Sequence, residues 1–429
     1  ASLPKLPLLE RIVAQISKIH IPVKPVLIGI GVVAVATSAY FIAASLKQAV
    51  FPPKYSLLVL PALSASVDSS TQFLADAVTE DLISAVASVG ELRVIAAPTA
   101  LSLRTYAGNF SQVARSLGAN YFLQWNMLKN EDRVAFQVTL FDTLSAKPVW
   151  SAQTQNSMRE FQSALREIGR TTVREMKVQT TPQEEELLAR VSHTAPEAYE
   201  AYARGRWYLR QPDPSAVPSA LSAFSSALEK DSLFVEAYIG GAWAHLMAVD
   251  RETDTLISHV QSAWRYLNRA LSLGARSSES YRVRGLIAQY QLQYDRAVDE
   301  LERGAVFAPS DAETQRRLAV AYAIKGRIDD ALKVAAKAAA DDPRNADSYT
   351  TLGSIQHLRD ENLRLQEKND DSVYREALQS FEQGMRYASD KSKYASAGYA
   401  DLLEYTHQPE RAAQILVDRV AQTQHYVDY

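Results

Sequence analysis

A step of 34 residues runs through the second half of this chain and constrains its fold more than any other feature. Gly285, Ala319 and Gly353 stand one step apart, as do Ala263, Ala297 and Ala331, then Ala270, Gly304 and Ala338, while Pro309 and Pro343 keep the same interval. Self-similarity at such a period marks a stack of supersecondary units, each too small to bury its apolar face alone. The small residues let two helices of one unit cross closely, and the proline stops the second helix before the next unit begins.

A small residue at position 8, alanine at 20, a small residue at 27 and proline at 32 of each step make this stretch resemble the tetratricopeptide repeat, most clearly over residues 278–345, in SSESYRVRGLIAQYQLQYDRAVDELERGAVFAPS and DAETQRRLAVAYAIKGRIDDALKVAAKAAADDPR. Carried outward, the frame predicts an array over residues 195–429 of about six repeats, the first and last atypical, and the fifth with 12 extra residues around RDENLRLQEKNDD that form a helical extension or a mobile loop. In that family the first helix of each repeat, helix A, lines a concave groove. The resemblance therefore implies groove candidates Arg206, Arg210, Trp243, Met247, Arg282, Leu286, Tyr290, Arg316, Val320, Ser354 and His357. Arg282 and Arg316 sit one repeat apart and could grip a carboxylate or acidic peptide. Glu279 and Glu313, three residues before them, offer a plainer reading in which each pair satisfies itself on the helix face. Trp243 is equally open, as an anchor for a partner or as packing between helices.

Ahead of the array the pattern alternates. Tyr55–Leu63 is a continuous apolar run suited to a buried strand, residues 70–89 repeat apolar positions at helical spacing, and Leu92–Ala96 predicts a second strand. From Tyr121 to Leu140 apolar and polar residues alternate around a polar KNED break, the mark of a hairpin; a strand at Pro148–Gln153 and a helix carrying Phe161, Leu165, Ile168 and Val173 complete the run. The phrases SLLVLPAL, FLADAVTEDLISAVASVGELRVIA and VARSLGANYFLQWNMLKNEDRVAFQVTLFDTLSAKPVWS resemble the TolB amino-terminal-like domain, also seen in CadC-type regulators and beside repeats in bacterial adenylate cyclases. Gln124 and Trp125 depart from the small residue expected there. The resemblance implies a binding or sensing module over residues 55–178, joined to the array by a linker or helix start at 179–194.

The N-terminus predicts a membrane anchor. Val26–Leu46 holds 21 residues without charge between Lys24 and Lys47, enough for a helix of about 30 Å. Within residues 25–47, Gly31, Ala34, Ser38 and Ser45 share one face that could pack a partner helix or meet lipid. Residues 1–24 read as a short cytoplasmic amphipathic segment, and residues 48–54, with Pro52 and Pro53, as a stiff connector. Residues 1–47 carry five basic side chains against Glu10; with −3 for the whole chain, the remainder holds −7, which argues against nucleic acid as its ligand. The charge bias favours a cytoplasmic N-terminus and an exported bulk.

The fold class expected is α+β and all-α: an N-terminal transmembrane helix, a small α/β domain of the TolB amino-terminal kind, then an α-solenoid of tetratricopeptide repeats. Cysteine is absent, the seven histidines are scattered singly, and no nucleophile elbow, phosphate loop or zinc-protease string occurs, so no enzyme, cofactor or metal is expected. The function expected is a periplasmic, single-pass inner-membrane scaffold or accessory subunit of a bacterial membrane complex, with protein partners. The alternative is the sensor half of a CadC-like or cyclase-like regulator whose output domain lies outside this chain. Oligomeric state is open in both.

Overall fold

In the computed structural model the described residues are 55–62, 69–130, 133–190, 194–211, 213, 215–250, 256–367, 371–388, 397–405 and 408–425, and residues 53–429 form one compact unit. A five-stranded sheet and its helices come first: β1 (Ser56–Val59), α1 (Ser69–Val86), β2 (Arg93–Val94), α2 (Ala97–Leu101), α3 (Phe110–Ser116), β3 (Tyr121–Asn130), β4 (Arg133–Asp142), β5 (Pro148–Ser157) and α4 (Phe161–Glu175). The strand order is β2-β1-β3-β4-β5; β1 runs parallel to both neighbours, and the β3–β4 and β4–β5 pairs are antiparallel. Each pairing follows from composition. Every residue of β1 is buried, as a parallel strand covered on both faces requires. In β4 the even-numbered Val134, Phe136, Val138 and Leu140 are buried, while Ala135, Gln137 and Thr139 face outward. Gly118 closes α3 at φ +73°, where a side chain would strain the backbone.

Trp125 occupies the place where a small residue was expected. Its indole N–H donates to the Leu60 carbonyl at 2.8 Å and its ring lies 6.1 Å from Phe136, so this sheet fills with an aromatic the space a glycine would leave open. The stretch 179–194, read as a linker or helix start, contains α5 (Pro182–Ala189), opened by a capping box between Thr181 and Glu184 and tied down by buried Leu188. Glu184 also accepts the Gly90 N–H at 2.7 Å, fastening α5 beneath the end of α1.

Among the described residues twelve helices follow as antiparallel pairs: α6 (Pro196–Arg210) with α7 (Ala216–Lys230), α8 (Val235–Asp250) with α9 (Leu256–Ser272), α10 (Ser278–Tyr290) with α11 (Tyr294–Phe307), α12 (Ala312–Ile324) with α13 (Ile328–Asp341), α14 (Ala346–Leu365) with α15 (Asp371–Tyr387), and α16 (Ala397–Tyr405) with α17 (Pro409–His425). The small residues act as their spacing implied. A Cβ on Gly205 or Gly240 would come within 2.7 Å of the Phe224 ring, so this ring seats directly on two helix backbones; at Gly285 the obstacle is Leu301, at 2.6 Å. The described part of the insertion in the fifth repeat lengthens its first helix, α14 having 20 residues where α10 and α12 have 13; residues 368–370 of the insertion lie outside the described residues.

The expected fold class needs correction. The described chain is mostly helical with one small five-stranded sheet, and among the described residues no helix is long and apolar enough to cross a membrane. The Val26–Leu46 stretch, its small-residue face (Gly31, Ala34, Ser38, Ser45) and the amphipathic segment before it lie outside the described residues. The expected single-pass inner-membrane placement, N-terminus inside and bulk in the periplasm, is not supported by any described helix and is withdrawn.

Candidate partner-binding surface

Helix A of the first repeat, α6, is already occupied. Its Tyr199 hydroxyl donates to Asp81 at 2.6 Å, Arg206 donates to Asp81 at 2.6 Å and pairs with Glu80, and Arg210 donates to Asp76 at 2.9 Å and pairs with Glu80. The three acids lie on one face of α1, and Arg104 pairs with Asp76 from the other side. Asp76 and Glu80 are almost fully buried. Burial opposes the Arg206 charge, but Glu80, Tyr202 and Asp81 overcome it and push the guanidinium's pKa well up, so Arg206 stays charged. The Tyr199 phenol is held well above its usual range by burial and by Asp81. Two groove candidates, Arg206 and Arg210, therefore belong to an internal contact.

The α/β domain also touches the turns between later repeats. Arg93 pairs with Asp341 at 2.9 Å, the Ala96 N–H donates to the Asp341 carbonyl at 2.8 Å, and the Ser310 hydroxyl donates to the Leu92 carbonyl at 3.0 Å. Asp342 accepts from both the Thr99 N–H, at 3.1 Å, and its hydroxyl, at 2.6 Å. Burial pushes the Asp342 carboxyl up to about 6, against the hydrogen bonds from Thr99 and Asn345. Between the two parts lies a cleft of about 270 Å³ whose wall carries Asp81, Tyr199, Arg190, Glu236, Arg276 and Glu279; its mixed charge singles out no ligand class.

Beyond the first repeat the helix A face is built around Trp243. The Arg282 guanidinium lies 4.9 Å and that of Arg317 5.4 Å from its ring centre, cation–π distances that hold the indole between two repeats. Neither arginine depends on the ring. Arg282 pairs with Asp311 at 2.9 Å, and Glu313 takes Arg316 at 2.7 Å and Arg317 at 2.9 Å. Burial would raise the Glu313 carboxyl, but Arg316, Arg317 and Arg282 pull it down to about 2. The self-satisfied reading thus describes Arg316; Arg282 pairs instead with Asp311, across the repeat boundary. Tyr290 packs half-buried against the core of repeats two and three. His357 stands apart in the fifth repeat, its Nε2 3.6 Å from Glu361, its Nδ1 buried without a hydrogen bond, and its ring 2.7 Å from where a Cβ on Gly398 would stand.

The structure thus joins Trp243, Arg282 and Arg316 into one cluster, diverts Arg206 and Arg210 to α1, and leaves His357 separate. Sequence reasoning missed Arg317, Asp311 and the α1 acids; the acids carried a signal, since Asp76, Glu80 and Asp81 at i, i+4 and i+5 form a charged face on an apolar helix. It also missed a histidine pair. His245 and His259, read as single residues, approach Nδ1 to Nδ1 at 2.9 Å, and burial, then His259 and Arg265, push His245 down to about 4. Among the described residues no group of three metal-ligating side chains occurs.

No family model matches the chain. A curated relative, "Putative adenylate cyclase 3" of Rhizobium meliloti (strain 1021), is 28% identical over 160 residues, which are 37% of this chain and 27% of that protein; the chain thus spans about a quarter of the relative's length. Solved structures with a similar fold include YrrB, described as a TPR protein with an unusual peptide-binding site (20% identity, 47% of this chain and 89% of that one, TM-score 0.30), and MamA (19%, 42% and 93%, TM-score 0.30). PilF of Pseudomonas aeruginosa is similar at 14% identity over 51% of this chain and 90% of that one, with a TM-score of 0.37. Likenesses at this level carry no argument about function. The array is of tetratricopeptide type on its own 34-residue register and helix pairing, and that architecture serves protein–protein contact.

Proposed function

We propose that this chain is a protein-interaction scaffold whose helix A face over repeats two to five receives an extended or helical segment of a partner protein, while the α/β domain occupies the first repeat. The observation that carries this reading is Trp243, set between Arg282 and Arg317 on that face, with Met247 half-buried beside it and Ile324 45% exposed further along. A rigid aromatic flanked by apolar side chains and by fixed charges already neutralised in pairs gives a partner contact area without leaving a buried charge to satisfy. The α/β domain is read as a TolB amino-terminal-like binding module, supported by its strand–helix–strand start and the antiparallel strands that follow. The reading involves no catalysis, no cofactor and no nucleic acid, in keeping with the acidic balance of the chain after residue 47.

The test is site-specific photo-crosslinking of the full chain in its native host. A crosslinking aromatic at Trp243 is expected to capture one protein reproducibly, Ile324→Glu to abolish that capture, and the same probe at Arg303, on helix B of the third repeat, to give none. Equal yields from both positions would overturn the groove reading. A second reading, the regulatory part of a cyclase-like protein, draws support from the 160-residue match to the Rhizobium relative. The intact mass of the native protein separates the two: a mass well above 47.5 kDa that includes a cyclase domain favours the second.

A further inference from the structure

The two edges of the sheet are treated differently. At β2 the edge is shut by the array, through the Ala96 N–H on the Asp341 carbonyl and the Val94 N–H on the Ser310 hydroxyl at 3.3 Å. At the other end β5 pairs with β4 without interruption from Arg133↔Ser157 to Leu140↔Trp150, and among the described residues no strand lies on its outer side. Ten residues at about 3.4 Å each expose a row of backbone donors and acceptors more than 30 Å long. Folded proteins usually blunt such an edge with lysine, an internal proline or a covering loop. The strand PVWSAQTQNS has no charge, and its proline is its first residue. The bulge falls between Leu140 and Phe141, next to Val149, and leaves residues 150–157 in regular register.

We propose that the outer edge of β5 is the docking strand for β5 of a second copy of this chain, paired antiparallel about a two-fold axis so that two five-stranded sheets become one of ten. Directly opposed residues of an antiparallel pair point to the same face, so the axis must pass through a residue and not between two. Gln153 is the central choice. Its amide both donates and accepts, and so can pair with its own copy; Ser151 then faces Gln155, Ala152 faces Thr154, and Trp150 faces Asn156. A strand without charge places no like charges opposite one another in this arrangement, and it offers no sign pattern for a foreign strand to match. Of the outward neighbours on β4, Ala135, Gln137 and Thr139 are also uncharged, and the one charge, Arg133, stands at the strand's end opposite Ser157. The proposal is independent of the groove reading.

Because the chain has no cysteine, single cysteines report the pairing directly. In the full chain, Gln153→Cys is expected to give a reducible product at twice 47.5 kDa on mild oxidation, Ser151→Cys and Gln155→Cys much less, and Gln137→Cys, one strand inward, none. Neighbouring N–H groups of a strand point to opposite sides, so of Ala152→Pro and Gln153→Pro one removes only an outward donor. That variant is expected to lose the dimer while melting at the monomer's temperature. Equal crosslinking at all four cysteine positions, or sedimentation of the wild-type chain as a monomer at about 100 µM, would overturn the proposal.

Discussion

Helix A of the first repeat and helix A of the third and fourth carry arginines on the same side of the array and spend them in opposite ways. Arg206 and Arg210 reach out of the array to α1, where Asp76 and Glu80 are 4 and 8% exposed and Asp81, at the rim, 21%. Arg282, Arg316 and Arg317 turn inward to Asp311 and Glu313, 18 and 29% exposed, and leave the surface between them available around Trp243. Residue type is shared; what differs is whether another element covers the helix. An arginine on a buried carboxylate is a lock, because that carboxylate left without it is a large penalty, whereas one whose acid still reaches water mainly sets the shape and charge of a surface.

Arg206→Ala should break the contrast most sharply. It removes the arginine of Asp81 and one of the two on Glu80; Arg210 still neutralises Glu80 and the Tyr199 hydroxyl still donates to Asp81, so the cost sits at the low end of the about 3–5 kcal/mol of a broken buried pair. Urea unfolding should show a loss of that order, and hydrogen exchange should rise along α1 ahead of the array. A loss below about 1 kcal/mol would mean that Arg210 and Tyr199 hold the domain alone.

Acid should act on the array's own lock. Glu313 has its carboxyl pulled down to about 2 from 4.5, so its contribution is fully present above pH 4.5 and is lost as pH falls toward 2. The loss is at most about 3 kcal/mol, less after screening of a carboxylate 29% exposed. Comparison of wild type with Glu313→Gln by denaturant unfolding between pH 5 and 2 isolates it. Asp342 runs the other way. Raised from 3.8 to about 6 by burial at the domain contact, it favours the folded state fully below pH 3.8 and loses that effect as pH rises through 6, by about 2–3 kcal/mol. Asp342→Asn should flatten the stability profile between pH 4 and 6; an unchanged slope there would remove Asp342 from the account.

The parts of this molecule readable from sequence are those where a local rule repeats. The 34-residue step located Gly285 against Leu301 and Gly353 against Phe381, because a helix crossing that admits no Cβ recurs in each unit. Alternation located the β3–β4 hairpin and which residues of β4 are buried. Contacts between distant elements left no such trace. Asp81 and Arg206 are 125 residues apart, and Asp342 and Thr99 243, so their pairing depends on how the α/β domain seats on the repeat turns. Within the groove the family frame named Arg316 and passed over Arg317, one position on, whose guanidinium reaches Trp243 while sharing Glu313. The frame describes where helix A faces; it is silent on which of two adjacent long side chains bends toward a ring.

Arg316→Ala gives the smallest expected effect and sharpens the comparison from its other side. Glu313 keeps Arg317 at 2.9 Å and access to water, so no carboxylate is stranded and the change should fall near 0.5–1 kcal/mol, as for an ion pair close to the surface. Trp243 keeps both of its cation contacts, since Arg316 is in neither. Indole fluorescence of the other four tryptophans would obscure the reading, so the check is made with Trp243 as the remaining tryptophan: its emission should be unmoved by Arg316→Ala and shifted by Arg317→Ala. If Arg316→Ala instead destabilised the chain as much as Arg206→Ala, the groove arginines would be a lock like those on α1, and the open surface would have to be sought elsewhere on the array.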